Sequence, residues 1–271
     1  MKKIRYFVLP LFMSLTLLAG CTPKQDAQVK VEGDKPNQET KQENDTKKPE
    51  ENKEKPQEEK VDPAVLNRFD KYFYKGKDEM VYIGMAEYGY RAKYEKEVTD
   101  NPKEKTVVYK GSMSDGVGET KGPREFIASY IIDKDKVVEK IENKDYLKDR
   151  KTTLNSIIEN FIVVKGEVKV GNKWEQSFKQ KDKEFKAVTE IKAVEKKGDK
   201  TQFVTETTVA NMEGYKDNTY IEKRTYREGL GLIDFENTPK IVNGVEPIDP
   251  MVGYGLNYIM DKDGNKDIIE R

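Results

Sequence analysis

The sequence predicts a mainly β protein: an antiparallel, strongly curved sheet forming a half-barrel, barrel or sandwich behind a disordered tether. Three observations carry this. Short stretches of alternating apolar and polar residues recur at near-regular spacing from residue 80 to residue 260, a period of two that suits half-buried strands. Turn-forming groups such as Asp133-Lys134-Asp135, Lys197-Gly198-Asp199 and Asn243-Gly244 fall between them. Residues 22–60 contain no aromatic residue at all, so the folded part is confined to residues 61–271.

The N-terminus reads as a bacterial lipobox. A basic head (Lys2, Lys3, Arg5) precedes an apolar run from Tyr6 to Leu18, and Leu18-Ala19-Gly20 leads into Cys21, the only cysteine. That run falls short of the roughly 20 residues needed to span a bilayer, which makes residues 1–20 a lipoprotein signal peptide and not a membrane span. On this reading Cys21 takes a diacylglyceryl thioether, and its freed amine is a second acylation point. Each buried methylene contributes about 0.8 kcal/mol, so two or more chains make a stable anchor. Loss of residues 1–20 removes three positive charges and no negative ones, taking a neutral chain to −3. Such a balance gives no basic footprint for nucleic acid. With Cys21 acylated no disulfide can form within the chain, so burial alone must hold the fold.

Residues 21–60 carry the acylated cysteine and a tether. Its 39 residues from Thr22 onward hold 9 Lys, 11 Asp or Glu and 4 Pro, with only Ala27, Val29 and Val31 as apolar side chains. Burial cannot offset the entropy of ordering such a segment, and as a coil its ends lie roughly 35 Å apart. Residues 61–271 then form a single β-rich domain. Tyr88, Tyr90, Ala92 and Tyr94 alternate with Gly89, Arg91 and Lys93 as in a strand. Further strands are expected over 80–85, 105–110, 126–132, 137–141 and 219–227, and a hairpin joins 187–194 to 202–209. Leu154, Ile157, Ile158 and Phe161 fall at helical spacing, while 161–164 is a β-branched run that suits a strand, so this stretch stays open between the two. Asn243-Gly244 between apolar neighbours predicts a hairpin, and Val252, Tyr254, Leu256, Tyr258 and Met260 predict a last strand.

Tyr72-Phe73, Lys75-Gly76 and Val81-Tyr82, then Lys169-Val170-Gly171-Asn172-Lys173-Trp174, then Arg227-Glu228-Gly229-Leu230-Gly231-Leu232-Ile233, follow one another in this order. The arrangement resembles a family of secreted Firmicutes lipoproteins with a β-rich domain of unassigned activity. The likeness covers about residues 69–235. Met80 stands where the family has its first Trp, Leu230 replaces Val, and residues 236–271 extend beyond the pattern. The resemblance implies a membrane-anchored protein of the Gram-positive surface, on the extracytoplasmic face. From the residues themselves, Gly171 suits a turn before the strand, Trp174 a core anchor, and Gly229 and Gly231 a bulge or bend within a strand.

The residue types exclude much chemistry. The chain has no histidine, the commonest general base and metal ligand. It has no Gly-x-Ser-x-Gly elbow and no Ser-x-x-Lys. Three readings remain. The first is a non-catalytic envelope binding or structural module, whose Tyr82, Tyr88, Tyr90, Tyr94 and Trp174 meet a ligand such as wall polymer or an envelope protein. The second is a carrier of a lipid or other apolar ligand within the curved sheet. The third is a carboxylate-based glycoside hydrolase, which needs two acids fixed about 5 to 9.5 Å apart. Asp261, Asp263, Asn265 and Asp267 place oxygen ligands at alternate positions, as a weak Ca2+ loop would, although Gly264 does not match EF-hand spacing. No other cofactor is expected, and the protein is expected to be a monomer held to the membrane by its lipid.

Overall fold

In the computed structural model, which describes residues 63–84, 89–114, 125–142 and 156–271, the period-two pattern becomes thirteen antiparallel strands and one short helix, α1 (Pro63–Asp70). Pro63 opens the helix, where its missing N–H costs nothing. The strands are β1 (Glu79–Gly84), β2 (Gly89–Asn101), β3 (Glu104–Ser114), β4 (Glu125–Ile132), β5 (Lys136–Glu142), β6 (Phe161–Lys165) and β7 (Lys173–Gln180). Next come β8 (Lys183–Lys197), β9 (Lys200–Val209), β10 (Tyr220–Arg227), β11 (Gly231–Asn237), β12 (Val252–Met260) and the short β13 (Lys266–Ile268). Cys21, the tether, Tyr88 and Leu154 lie outside the described residues.

The topology is an up-and-down meander that closes on itself. Each strand pairs with its neighbours in sequence, and β1 pairs with β12, so first and last strands meet in a regular ladder. β13 extends the ladder along β12 from Tyr258 to Met260. Among the described residues the ring is interrupted only between β6 and β7, which stand at the two ends of the strand order. Side chains bridge that seam. Gln176 Oε1 accepts the Ile162 N–H at 2.7 Å, Gln176 Nε2 donates to the Asn160 carbonyl at 3.3 Å, and Trp174 Nε1 donates to the Ile162 carbonyl at 3.1 Å.

Three local expectations are corrected. Residues 161–165 are strand and not helix, because Ile162, Val163 and Val164 are stiff at χ1 and favour extended backbone. Asn243 and Gly244 do form a left-handed turn (φ 53° and 77°), but only a single bridge, Val242 to Val245, flanks it. Pro239, Pro247 and Pro250 lack the N–H groups that a longer ladder would need. Gly229 and Gly231 sit at the β10–β11 turn with φ of 75° and 80°, and the bulge lies between Thr225 and Tyr226 instead.

Eight strands enclose a space that side chains just fill, and an open ring of twelve would leave a larger void. Here the void is filled by apposing walls. The wall from β1 to β5 contributes Met80, Tyr82, Tyr109, Phe126 and Tyr130, and the other contributes Ile191, Phe203, Tyr226 and Phe235. Gly111 leaves room for the Phe126 ring, which would lie 2.1 Å from a Cβ there. The two internal cavities at this aromatic layer have volumes of about 20 Å³ each, enough for one water apiece.

At the centre, Arg224 of β10 joins the walls. Its Nε donates to Glu222 Oε1 at 2.6 Å, and its Nη1 donates to Glu139 Oε1 of β5 at 2.9 Å and to Tyr226 Oη at 3.1 Å. Tyr130 donates to Glu139 at 2.8 Å, Tyr220 donates to Glu222 at 2.7 Å, and the guanidinium lies 3.9 Å from the centre of the Phe161 ring of β6. Burial opposes the charge on Arg224, but Glu139 and Glu222 outweigh it and hold the guanidinium protonated. Replacement of Arg224 by Met strands two carboxylates in the interior. We expect a loss of about 3–5 kcal/mol in urea denaturation, largely restored when Glu139 and Glu222 are made apolar as well. A loss below about 1 kcal/mol would show that the walls are held by apolar packing alone.

Candidate functional site

The residues singled out by sequence do not assemble into an exposed site. Tyr82 is 2% exposed, stacks on Tyr90 at 4.1 Å between ring centres, and donates its hydroxyl to the Leu232 carbonyl at 2.7 Å. Burial pushes both phenols well above their ordinary pKa, so they stay neutral. Tyr94 packs edge-on against Tyr109 at 6.2 Å. The alternation that defined the strand also sends these rings to one face, and that face is the interior. They form no stacking strip for sugar rings. Trp174 is 5% exposed and serves the core and the seam.

Asp261 is likewise occupied by its own loop. Oδ1 accepts the backbone N–H groups of Asp263 and Asn265, both at 2.9 Å, and Oδ2 accepts Asn265 Nδ2 at 2.8 Å. These bonds lower the Asp261 pKa and turn the chain between β12 and β13. Asp263 and Asp267 are exposed. Among the described residues no three acidic or thiol side chains converge as a metal centre. The acid pair nearest to a hydrolase arrangement, Glu139 and Glu222, is clasped by Arg224 and two tyrosines, so neither oxygen pair faces a substrate.

A different region has the form of a binding site. The turns β4–β5, β6–β7, β8–β9 and β10–β11 gather at the end of the barrel where α1 packs. Asp70 at the end of the helix holds Lys75 at 2.7 Å and Lys105 at 3.3 Å, and Glu97 on β2 receives both of these lysines. The Lys71 carbonyl accepts the Gly229 N–H at 2.8 Å. Between helix and turns runs an open groove of about 700 Å³, lined by Arg68, Phe69, Lys71, Tyr72, residues 166–169 and Thr201. Phe69, Tyr72 and Val168 make an apolar floor, with Tyr72 set edge-on to Phe203 in the core.

The rim is charged. Lys71 pairs with Glu228 at 2.6 Å, and Lys169 pairs with Glu167 at 2.8 Å. Arg68 donates through Nη2 to the Lys134 carbonyl and lies 4.5 Å from the centre of the Phe69 ring, while its buried Nε makes no hydrogen bond. Three cations against two carboxylates leave this rim one positive charge in excess. An elongated anion with some apolar surface is the ligand chemistry that fits. Sequence offered one clue, since Arg68 and Lys71 are three residues apart at the end of an amphipathic helix. Lys169 reaches them only through the fold.

Glu228 has its pKa lowered from 4.5 to about 2: burial raises it, but Lys71 and the Thr201 backbone N–H, 3.0 Å away, prevail. A depressed carboxylate stabilises the fold above its unfolded pKa and loses that contribution as pH falls through the folded value. Glu228→Gln should therefore lower Tm at pH 7 by roughly 2–4 °C, and the gap to the parent should shrink between pH 4.5 and 2. A gap independent of pH would remove the ion pair from the account.

No protein-family model matches the chain, and no curated protein matches it in sequence. Among solved structures, a likeness is found to a protein of YmcC-like fold from Bacteroides fragilis, inferred to be exported, at 9% identity and a TM-score of 0.34, covering 69% of this chain and 97% of that one.

Proposed function

We propose that this chain is a surface lipoprotein, anchored through acylated Cys21 on the extracytoplasmic face of the membrane, and that its barrel is a non-catalytic module binding an anionic envelope polymer in the groove beside α1. The observation that carries the reading is the groove itself: an apolar floor of Phe69, Tyr72 and Val168 rimmed by Arg68, Lys71 and Lys169. The resemblance to secreted Firmicutes lipoproteins and the Leu18-Ala19-Gly20-Cys21 motif support the location. In sequence, the tether expected over residues 22–60 ends just ahead of α1.

The two other readings have less support. Pockets for small ligands usually measure about 300–1,000 Å³. Interior cavities of about 20 Å³ leave no container for an acyl chain. The hydrolase reading lacks a free acid pair, as the clasp around Arg224 engages both candidates.

Two measurements test the proposal. Labelled palmitate should be incorporated by the parent and not by Cys21→Ser; incorporation by the variant would end the anchor assignment. A soluble phosphodiester polymer should bind with an affinity that falls with salt, and the double variant Arg68→Gln, Lys169→Gln should weaken it by about ten-fold, a loss of roughly 1.4 kcal/mol. Equal binding by parent and double variant would place the site elsewhere.

A further inference from the structure

The discontinuity between β6 and β7 falls between consecutive strands joined by a short loop, where a hairpin ladder would normally form. The strands are in register for one: Ile162 faces Gln176, and Lys165 faces Lys173. Side chains take the place of the ladder at three alternate positions. Asn172 Nδ2 donates to the Lys165 carbonyl at 2.7 Å, Trp174 Nε1 to the Ile162 carbonyl, and the Gln176 carboxamide both accepts from Ile162 and donates toward Asn160. The Gln176 amide thus does what a peptide group does in a paired strand. An amide at the end of a three-carbon stem spans more than the roughly 4.8 Å between laddered strands, so the strands are held apart by about the space a backbone occupies.

The register also identifies which backbone groups face the seam. The β7–β8 ladder runs without a shift from the two-residue turn at Lys181-Asp182. In such a hairpin the pair flanking the turn is hydrogen-bonded, and bonded pairs recur at every second residue. The peptide groups of Trp174, Gln176 and Phe178 therefore serve β8, and those of Glu175 and Ser177 point to the seam.

We propose that the seam accepts one extended peptide strand from another polypeptide, laid antiparallel along β7 and displacing the Gln176 carboxamide. This goes beyond the groove and uses different residues. β7 is the favoured edge because it is eight residues long against five for β6, and because a strand antiparallel to β7 must run parallel to β6, the weaker arrangement. The chemistry of the occupant is set by the two faces. Inside the seam, Phe161, Trp174 and Phe178 already fill the core, so inward side chains must be small. Outside, Lys165, Lys173 and Lys179 are exposed, with Glu175 the exposed acid on β7, so outward side chains should be acidic. The partner strand alternates small and acidic residues.

The test is hydrogen exchange on the full chain, with an N-acetylated decapeptide alternating Ser and Glu as probe. In the free protein the amides of Glu175 and Ser177 should exchange fast and those of Gln176 and Phe178 slowly. Saturating peptide should slow Glu175 and Ser177 by at least about ten-fold. Gln176→Ala removes the competing amide and should tighten peptide binding by about five-fold, the worth of one hydrogen bond. Ser177→Pro, which deletes a seam-facing N–H at a tolerated edge position, should abolish binding while far-UV circular dichroism stays native. Slow exchange at Glu175 and Ser177 without peptide, no added protection with it, or protection that rises with protein concentration alone would each overturn the proposal. Should Gln176→Ala fail to fold, the exchange pattern of the parent and the Ser177→Pro variant still decide.

Discussion

The Arg224 guanidinium is the constraint on which the closed shape depends. It is attached to one wall through Glu222, two residues away on the same strand, and to the opposite wall through Glu139. Burying a cation and two carboxylates costs several kcal/mol per ion unless their remaining hydrogen-bonding capacity is met. Here Tyr130, Tyr220 and Tyr226 meet it, each from the same interior layer. The arrangement is specific in a way apolar contacts are not. A slip of one residue in β5 or β10 would turn Glu139 or Arg224 to the outside and leave its partner unpaired in the core.

With the walls fixed at the centre, the two ends of the barrel differ in character. One end receives α1, and its turns are tied down by ion pairs around Asp70 and Glu97 and by backbone bonds from residues 228 and 229. The groove exists because α1 covers only part of that opening, leaving the 166–169 turn to form the far bank. Its rim charges are therefore held by elements distant in sequence yet rigidly set relative to one another. The C-terminus adds to this order, with Arg227 donating to the Glu270 carbonyl at 2.7 Å.

The strands were legible because alternation survives any amount of charge on the outer face. Residues 126–132, 137–141, 202–209 and 252–260 are strands in the structure nearly where the pattern put them. What alternation cannot show is which face is enclosed. Tyr82 and Tyr90 could have faced solvent by the same pattern, and closure of the ring decides otherwise. Glu222-Lys223-Arg224 was hidden for a related reason: it reads like every other Glu-Lys run in a chain with 100 charged residues, and only the pairing with Glu139, 85 residues away, marks it as interior. The groove was opaque because Arg68 and Lys169 share no local pattern. The Val170-Gly171-Asn172-Lys173-Trp174 segment was correctly read as a turn leading to a core aromatic, while the seam role of Asn172 and Gln176 could not be seen, since an exposed amide in a strand has no distinctive signature.

The energetics of the seam distinguish it from the rest of the ring. A laddered strand pair is held by many backbone bonds and by cross-strand packing, and it separates only when the domain unfolds. At the seam three side chains act, and each hydrogen bond contributes about 1 kcal/mol net. Opening that breaks these bonds alone lies roughly 3 kcal/mol above the closed state, which corresponds to an open fraction somewhat below 1%. That is a local fluctuation, separate from global unfolding, because the apolar anchors beneath the seam keep their other neighbours: Phe161 its Arg224, and Phe178 its stacked Phe185 at 5.8 Å. A ring closed by its first and last strands can thus open in the middle of the chain without releasing either terminus. Unpaired strand edges invite promiscuous association unless they are guarded. Lys173 and Lys179 on β7, together with the bridging amides, guard this one, so that the edge admits a complementary acidic strand and repels a copy of itself.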